Sequence, residues 1–171
     1  MKQVYVLRHA QKDDLGNLTD EGRDHTKLLQ NRLPKFKIII TSDAPRTQET
    51  AFLLTGSKSQ IDIRAGYFNA PQQINEAIHT EALRHPFGFV GAYLDNVDIA
   101  EEIVKKAHGF VDLIHETLSS IDEEEKALIV SHEITMVPAA KLFIKESDIK
   151  SFKYLSGYII SENNNLELLS L

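Results

Sequence analysis

The sequence contains no cysteine. That excludes disulfides, thiolate catalysis and cysteine-based zinc sites, and it fits a reducing compartment. No apolar stretch is long enough to cross a membrane, and Met1-Lys2-Gln3 runs straight into apolar sequence without a signal-like region, so a soluble, cytoplasmic protein with no membrane partner is expected. Basic residues are outnumbered by acidic ones, 19 to 25, giving a formal charge of −6. No Lys/Arg cluster is dense enough to follow a phosphodiester backbone, so nucleic acid is not an expected partner. Internal repeats, low-complexity tracts and linkers are also missing. With 42% hydrophobic residues, the 171 positions suit one domain with a single core spanning residues 1–171.

What is present begins with Val4-Tyr5-Val6-Leu7-Arg8-His9-Ala10. Four consecutive apolar residues are too few for a helix and do not alternate, which predicts a parallel strand covered on both faces. Phe36-Lys37-Ile38-Ile39-Ile40-Thr41 and Ala127-Leu128-Ile129-Val130-Ser131 read the same way, and Gln60 to Arg64 reads as a short third strand. Between them lie helical segments. Thr19 is placed to cap a helix running to about Leu33, ended by Pro34, and Ser42 or Asp43 to cap one with Pro45 in its first turn. Apolar positions 99, 103, 107, 110, 114 and 118 mark the clearest amphipathic helix, and Thr135–Ile144 a further one. Phe152–Ser161 and Leu166–Leu171 read as a closing hairpin. The expected fold is three-layer α/β/α, with a mainly parallel central sheet and a C-terminal hairpin.

Residues 65–98 read as a lid or cap. Within it Pro71–Leu83 is expected to be a helix with Ile74, Ala77 and Ile78 inward; at 100° per residue Glu81 shares that face, while Glu76 and His79 point away. His108 and His115, seven residues apart, face away from the apolar stripe of their helix and read as a solvated surface.

The carboxyl ends of parallel strands line one edge of a sheet, where ligands bind. Arg8-His9, Ser42 to Arg46, and His132 all follow such strands, so two guanidiniums and two imidazoles can converge there. That set suits phosphoryl transfer. A neutral imidazole can attack phosphorus, guanidiniums can hold the non-bridging oxygens, and no metal or other cofactor is required. Neighbouring positive charge is expected to keep His9 neutral near pH 7.

Four motifs in this order resemble the histidine phosphatase superfamily, also called the phosphoglycerate mutase-like family: Leu7-Arg8-His9-Ala10, Leu18-Thr19-Asp20-Glu21-Gly22, Ser42-Asp43-Ala44-Pro45-Arg46-Thr47-Gln48-Glu49-Thr50-Ala51, and Val130-Ser131-His132. The resemblance implies that His9 is the phosphorylated nucleophile and that Arg8, Arg46 and His132 bind phosphate. It implies a phosphatase acting on a phosphomonoester or on phosphohistidine, with a phosphorylated small molecule or a phosphoprotein as substrate. In length, and in the short loop between Arg-His and Leu-Thr, the chain is similar to protein phosphohistidine phosphatases of that family.

Three departures stand out. Ala10 replaces the usual glycine, Glu133 follows the second histidine where glycine is common, and Gly66-Tyr67-Phe68-Asn69 lacks the acid that family members carry after the third strand as proton donor. Glu81 is the expected substitute, with Glu76 and Glu133 as alternatives. The same departures motivate a different class, a phosphate-binding or protein-interaction module with little or no turnover. No feature of the sequence specifies an oligomeric state.

Overall fold

The computed structural model describes residues 1–144 and 149–171. Its strands are β1 (Gln3–Arg8), β2 (Ile38–Thr41), β3 (Gln60–Ile61), β4 (Lys126–Ser131), β5 (Gly157–Ser161) and β6 (Leu166–Leu169). They form one sheet in the order β3-β2-β4-β1-β5-β6. The first four of these neighbours are parallel, and β5 and β6 add the antiparallel hairpin. The helices are α1 (Asp20–Leu29), α2 (Pro45–Thr55), α3 (Gln72–Ala82), α4 (Gly88–Leu94), α5 (Ala100–Ser119) and α6 (Glu133–Phe143).

The continuous apolar runs are explained by cover on both faces. Leu7, Leu128 and Val130 pack with Leu29, Ala51 and Leu54 of α1 and α2, while Val4, Val6 and Ile129 pack with Phe110, Ile114, Met136 and Val137 of α5 and α6. The result is the expected α/β/α sandwich. Register then fixes the site: Arg8 of β1 lies opposite Ser131 of β4, and Thr41 of β2 opposite Val130, so the three strands end at one level.

Local chemistry sets how the chain leaves those ends. The Thr19 hydroxyl accepts the Gly22 N–H, capping α1, and Asp20 and Glu21 occupy its first turn, where carboxylates suit the helix dipole. Gly22 is required for a second reason. A Cβ there would lie 2.5 Å from the Gln11 carbonyl oxygen, so glycine lets α1 press against the loop that follows His9.

Several boundaries differ from the sequence reading. The third strand stops at Ile61, because Asp62 accepts the Arg64 N–H and turns residues Ile63–Ala65 into a 3₁₀ turn. Helix α6 starts at Glu133, directly after His132. Strand β5 starts only at Gly157; before it, residues 152–156 curl over the end of β1, where Arg8 N–H donates to Ser156 O at 2.9 Å and Leu155 N–H to Arg8 O at 3.2 Å.

The segment between β3 and α5 holds two helices where the sequence reading gave one. Tyr93, Ala92 and Phe89 of α4 pack against Ile74, Ile78 and Ala82 of α3, with Ile99 and Ile103 beneath. That contact turns the buried line of α3 through Ile74, Ile78 and Ala82, leaving Ala77 and Glu81 exposed. The expectation that Glu81 faces inward is therefore corrected: helix α4, absent from the sequence reading, sets which side of α3 is covered.

Candidate active site

His9 follows β1, and its backbone N–H is fixed by the Ser131 carbonyl at 3.1 Å. Its imidazole is buried, with Nδ1 2.8 Å from the Ala10 carbonyl oxygen. A carbonyl only accepts, so Nδ1 carries the proton and Nε2 keeps its lone pair. The Nε–H of Arg46, in the first turn of α2, donates to that lone pair at 3.2 Å. The ring atom left with a lone pair is thus Nε2, aimed and held by a guanidinium.

His132 follows β4 as the residue ahead of α6. Arg46 Nη2 donates to its Nδ1 at 3.2 Å, so its Nε2 bears the proton and donates to Ser42 Oγ at 2.9 Å. Ser42 in turn meets Thr47 Oγ1 at 2.8 Å, and Thr47 donates to the Ala44 carbonyl at 2.7 Å. This explains why Ser42 does not cap α2 as expected. Ala44 is the residue ahead of that helix, and the serine oxygen orients His132 instead. The two imidazoles stand edge to face with ring centres 5.3 Å apart, and Arg46 bridges them.

Arg8 completes the cation set from the end of β1. Its Nη1 donates to the Phe152 carbonyl at 2.5 Å and to Glu133 Oε2 at 2.6 Å, and its guanidinium lies 4.2 Å from the Tyr154 ring centre. Its Nε is buried without a hydrogen-bond partner among the described residues. Glu133 Oε1 accepts the Phe152 N–H at 2.8 Å. His132 O takes the N–H groups of Thr135 and Met136, and the leading amides of α6, at Glu133 and Ile134, have no acceptor among the described residues, as is usual for the first turn of a helix.

Burial above all, with Arg46 and Arg8 adding to it and the hydrogen bond to Ala10 opposing it, pushes the His9 pKa down to about 3. His132 is pushed down to about 2, again by burial first and then by His9 and Arg46. Both rings are neutral at pH 7. The expected depression is present, with desolvation rather than charge as the larger cause. Glu133 moves the other way: burial raises its carboxyl, against the opposing pull of Arg8 and the Phe152 N–H.

These directions make a prediction. The unfolded chain binds protons on His9 and His132 below about pH 6.5, whereas the folded chain does not until far lower. Their contribution to stability is complete above pH 6.5 and is lost as pH falls toward 3, at up to about 1.4 kcal/mol per pH unit for each ring. Chemical denaturation from pH 7 to 4 should show this loss, and His9→Gln should show a shallower one. His9 or His132 imidazole signals, assigned by substitution, that titrate near pH 6.5 in the folded protein would contradict it.

No family model matches the sequence. Sequence comparison likewise finds no matching curated relative. Solved structures do match. The native mycobacterial glucosyl-3-phosphoglycerate phosphatase superposes with a TM-score of 0.70 at 18% identity, over 98% of this chain and 98% of that one. Phosphoglycerate mutase from Bacillus anthracis gives 0.69 at 16% identity, over 99% and 92%. A phosphoserine phosphatase mutant from Entamoeba histolytica, in complex with phosphoserine, gives 0.65 at 16% identity, over 99% and 96%. The chain has the phosphoglycerate mutase-like fold.

Within this phosphoglycerate mutase-like fold, a cavity of about 300 Å³ opens over Arg8, His9, Arg46 and His132. Glu133 is the carboxylate in its wall among the described residues; Glu81 and Glu76 do not line it. His79, expected to point away, does line it, with its ring 4.8 Å from that of Phe89. Both corrections come from the same rotation of α3. The sequence reading did not single out Tyr67, Phe68, Asn75, Phe89 and Tyr93 as pocket residues. Ala10 is accommodated without strain: it is absent from the positive-φ residues, is fully buried, and donates its N–H to Thr50 Oγ1 at 3.0 Å.

Proposed function

We propose that the chain is a metal-independent histidine phosphatase, hydrolysing a phosphomonoester or a phosphohistidine through a phosphohistidine intermediate on His9. The observation that carries this reading is the His9 imidazole. Its proton is held on Nδ1 by Ala10 O, and its Nε2 lone pair faces the pocket on Arg46, beside His132 and the start of α6. Resident cations, free amides and a buried neutral nucleophile form a preorganised site for a phosphoryl group.

The proposed steps use these atoms. An anionic phosphoryl oxygen, a better acceptor than imidazole nitrogen, draws the Arg46 donor off His9 and frees Nε2. Nε2 then attacks phosphorus as the bond from phosphorus to the leaving group breaks. Arg46, the free nitrogens of Arg8 and the α6 amides stabilise the equatorial oxygens. A dianion beside Glu133 raises that carboxyl further, as like charges do, so its acid form can protonate a departing alkoxide. Water next attacks phosphorus, passes a proton to the Glu133 carboxylate, and the P–N bond breaks with its electron pair returning to Nε2.

A phosphate-binding module without turnover would use the same cations. Steady-state release of inorganic phosphate from an aryl phosphate, with excess chelator present, separates the two. Sustained turnover is the expected result. Saturable phosphate binding with no turnover would support the module instead, and activity lost to the chelator and restored by a divalent ion would overturn metal independence.

A further inference from the structure

Resting on the phosphatase reading above, we infer that the substrate is a small-molecule monophosphate whose leaving group is uncharged and carries a planar ring. Charge, surface and size of the pocket each bear on this.

The first consideration is charge. The arginines in the wall, Arg8 and Arg46, belong to the phosphoryl end, and Arg8 is already paired with Glu133. Beyond that end the wall offers no lysine or arginine, and His79 is its only further basic side chain among the described residues. A carboxylate or second phosphate on the leaving group would lose water there without gaining a guanidinium or ammonium partner. It would also lie near the Glu133 carboxylate.

Surface comes next. Tyr67, Phe68, Phe89 and Tyr93 give the wall aromatic faces, joined by Val90 and Ile134. They are held before any ligand arrives: the Tyr93 hydroxyl donates to Phe68 O at 2.7 Å and Asn75 Nδ2 to Ala70 O at 2.7 Å, while Tyr67 stands edge-on to His132 with centres 4.9 Å apart. Fixed aromatic walls favour a flat partner by stacked or edge contacts, at little cost in ordering. The Asn75 side-chain oxygen and the Asn69 amide remain to meet a few polar atoms on its rim.

Size favours a small molecule over a protein loop. At about 300 Å³ the cavity is at the lower end for small-molecule sites, enough for a phosphoryl group and one ring system. Phosphohistidine on a protein surface would need the cap formed by α3 and α4 to leave room for the surrounding chain.

The test compares benzyl phosphate, 4-carboxybenzyl phosphate and ethyl phosphate, which share alkoxide leaving chemistry but differ in ring and charge. For the wild-type protein, kcat/KM for benzyl phosphate should exceed each of the others at least about tenfold. A Phe89→Ala variant should narrow the benzyl-to-ethyl ratio several-fold, mainly through KM. A preference for the carboxylated substrate, equal rates for benzyl and ethyl phosphate, or a phosphohistidine-bearing protein turned over better than benzyl phosphate would overturn this inference while leaving the phosphatase reading standing. No turnover of any of these substrates would overturn both.

Discussion

Replacing His9 with alanine is expected to reduce turnover on the order of 10⁴-fold or more, because among the described residues no other side chain presents a lone pair to phosphorus from the same place. His132 cannot substitute. Its Nε2–H is committed to Ser42, and its ring centre lies 5.3 Å from that of His9, so its Nδ1 does not take the place of His9 Nε2. Binding should survive the change. Arg8, Arg46 and the leading amides of α6 remain, so inorganic phosphate should bind His9→Ala with an affinity within about tenfold of the wild type, a difference of about 1.4 kcal/mol. Titration calorimetry with inorganic phosphate and steady-state kinetics on one aryl phosphate measure the two halves separately. Turnover within tenfold of wild type would mean that phosphorus is attacked by water or another group. Loss of both binding and turnover would mean that His9 holds the site together rather than reacting.

The second large effect is expected at Glu133. Glutamine keeps the volume and can still accept from Arg8 Nη1 or from the Phe152 N–H, but it cannot give up a proton as a carboxylic acid does. Glu133→Gln should therefore lower kcat/KM for alkyl phosphates, which reads transfer to His9, by about 10²- to 10⁴-fold, the range of general acid catalysis, and spare kcat/KM for substrates whose leaving group departs unprotonated. The basic limb of the pH profile for alkyl phosphates should disappear with it. Alanine is a poorer probe, because it would also remove the side-chain acceptor that glutamine keeps for Arg8 Nη1 and the Phe152 N–H. An equal loss of kcat/KM across leaving groups would assign Glu133 to positioning Arg8 instead.

The parts of this site that follow from strand ends were legible in the sequence. Arg8, His9 and His132 each sit directly after a β-branched apolar run, and Arg46 stands one residue past a proline suited to a first helical turn; a parallel sheet places such ends on one edge. The cap was read less well, for a physical reason. Helix α4 has the sequence Gly88 to Leu94, only seven residues with two glycines, too short and too weak in helix formers to stand out. Missing it misassigned the buried side of α3, which exchanged Glu81 for Asn75 and His79 at the pocket. Glu133 was legible as an oddity beside an anion site, yet its pairing with Arg8 depends on residues 152–156 curling back over β1. No local pattern encodes that turn. The Leu155 backbone, at φ of 60°, takes a left-handed conformation for which leucine gives no sequence signal.

One measurement addresses the central claim, that His9 Nε2 takes the phosphoryl group. Rapid mixing with a labile phosphoryl donor, alkaline quench, peptide mapping and ³¹P–¹H correlation on the labelled peptide identify both the residue and the ring nitrogen. A single acid-labile phosphohistidine is predicted, on His9 and attached through Nε2, formed at least as fast as steady-state turnover and absent from His9→Ala. Phosphate on His132, attachment through Nδ1, or full turnover with no trappable phosphoenzyme would contradict the account.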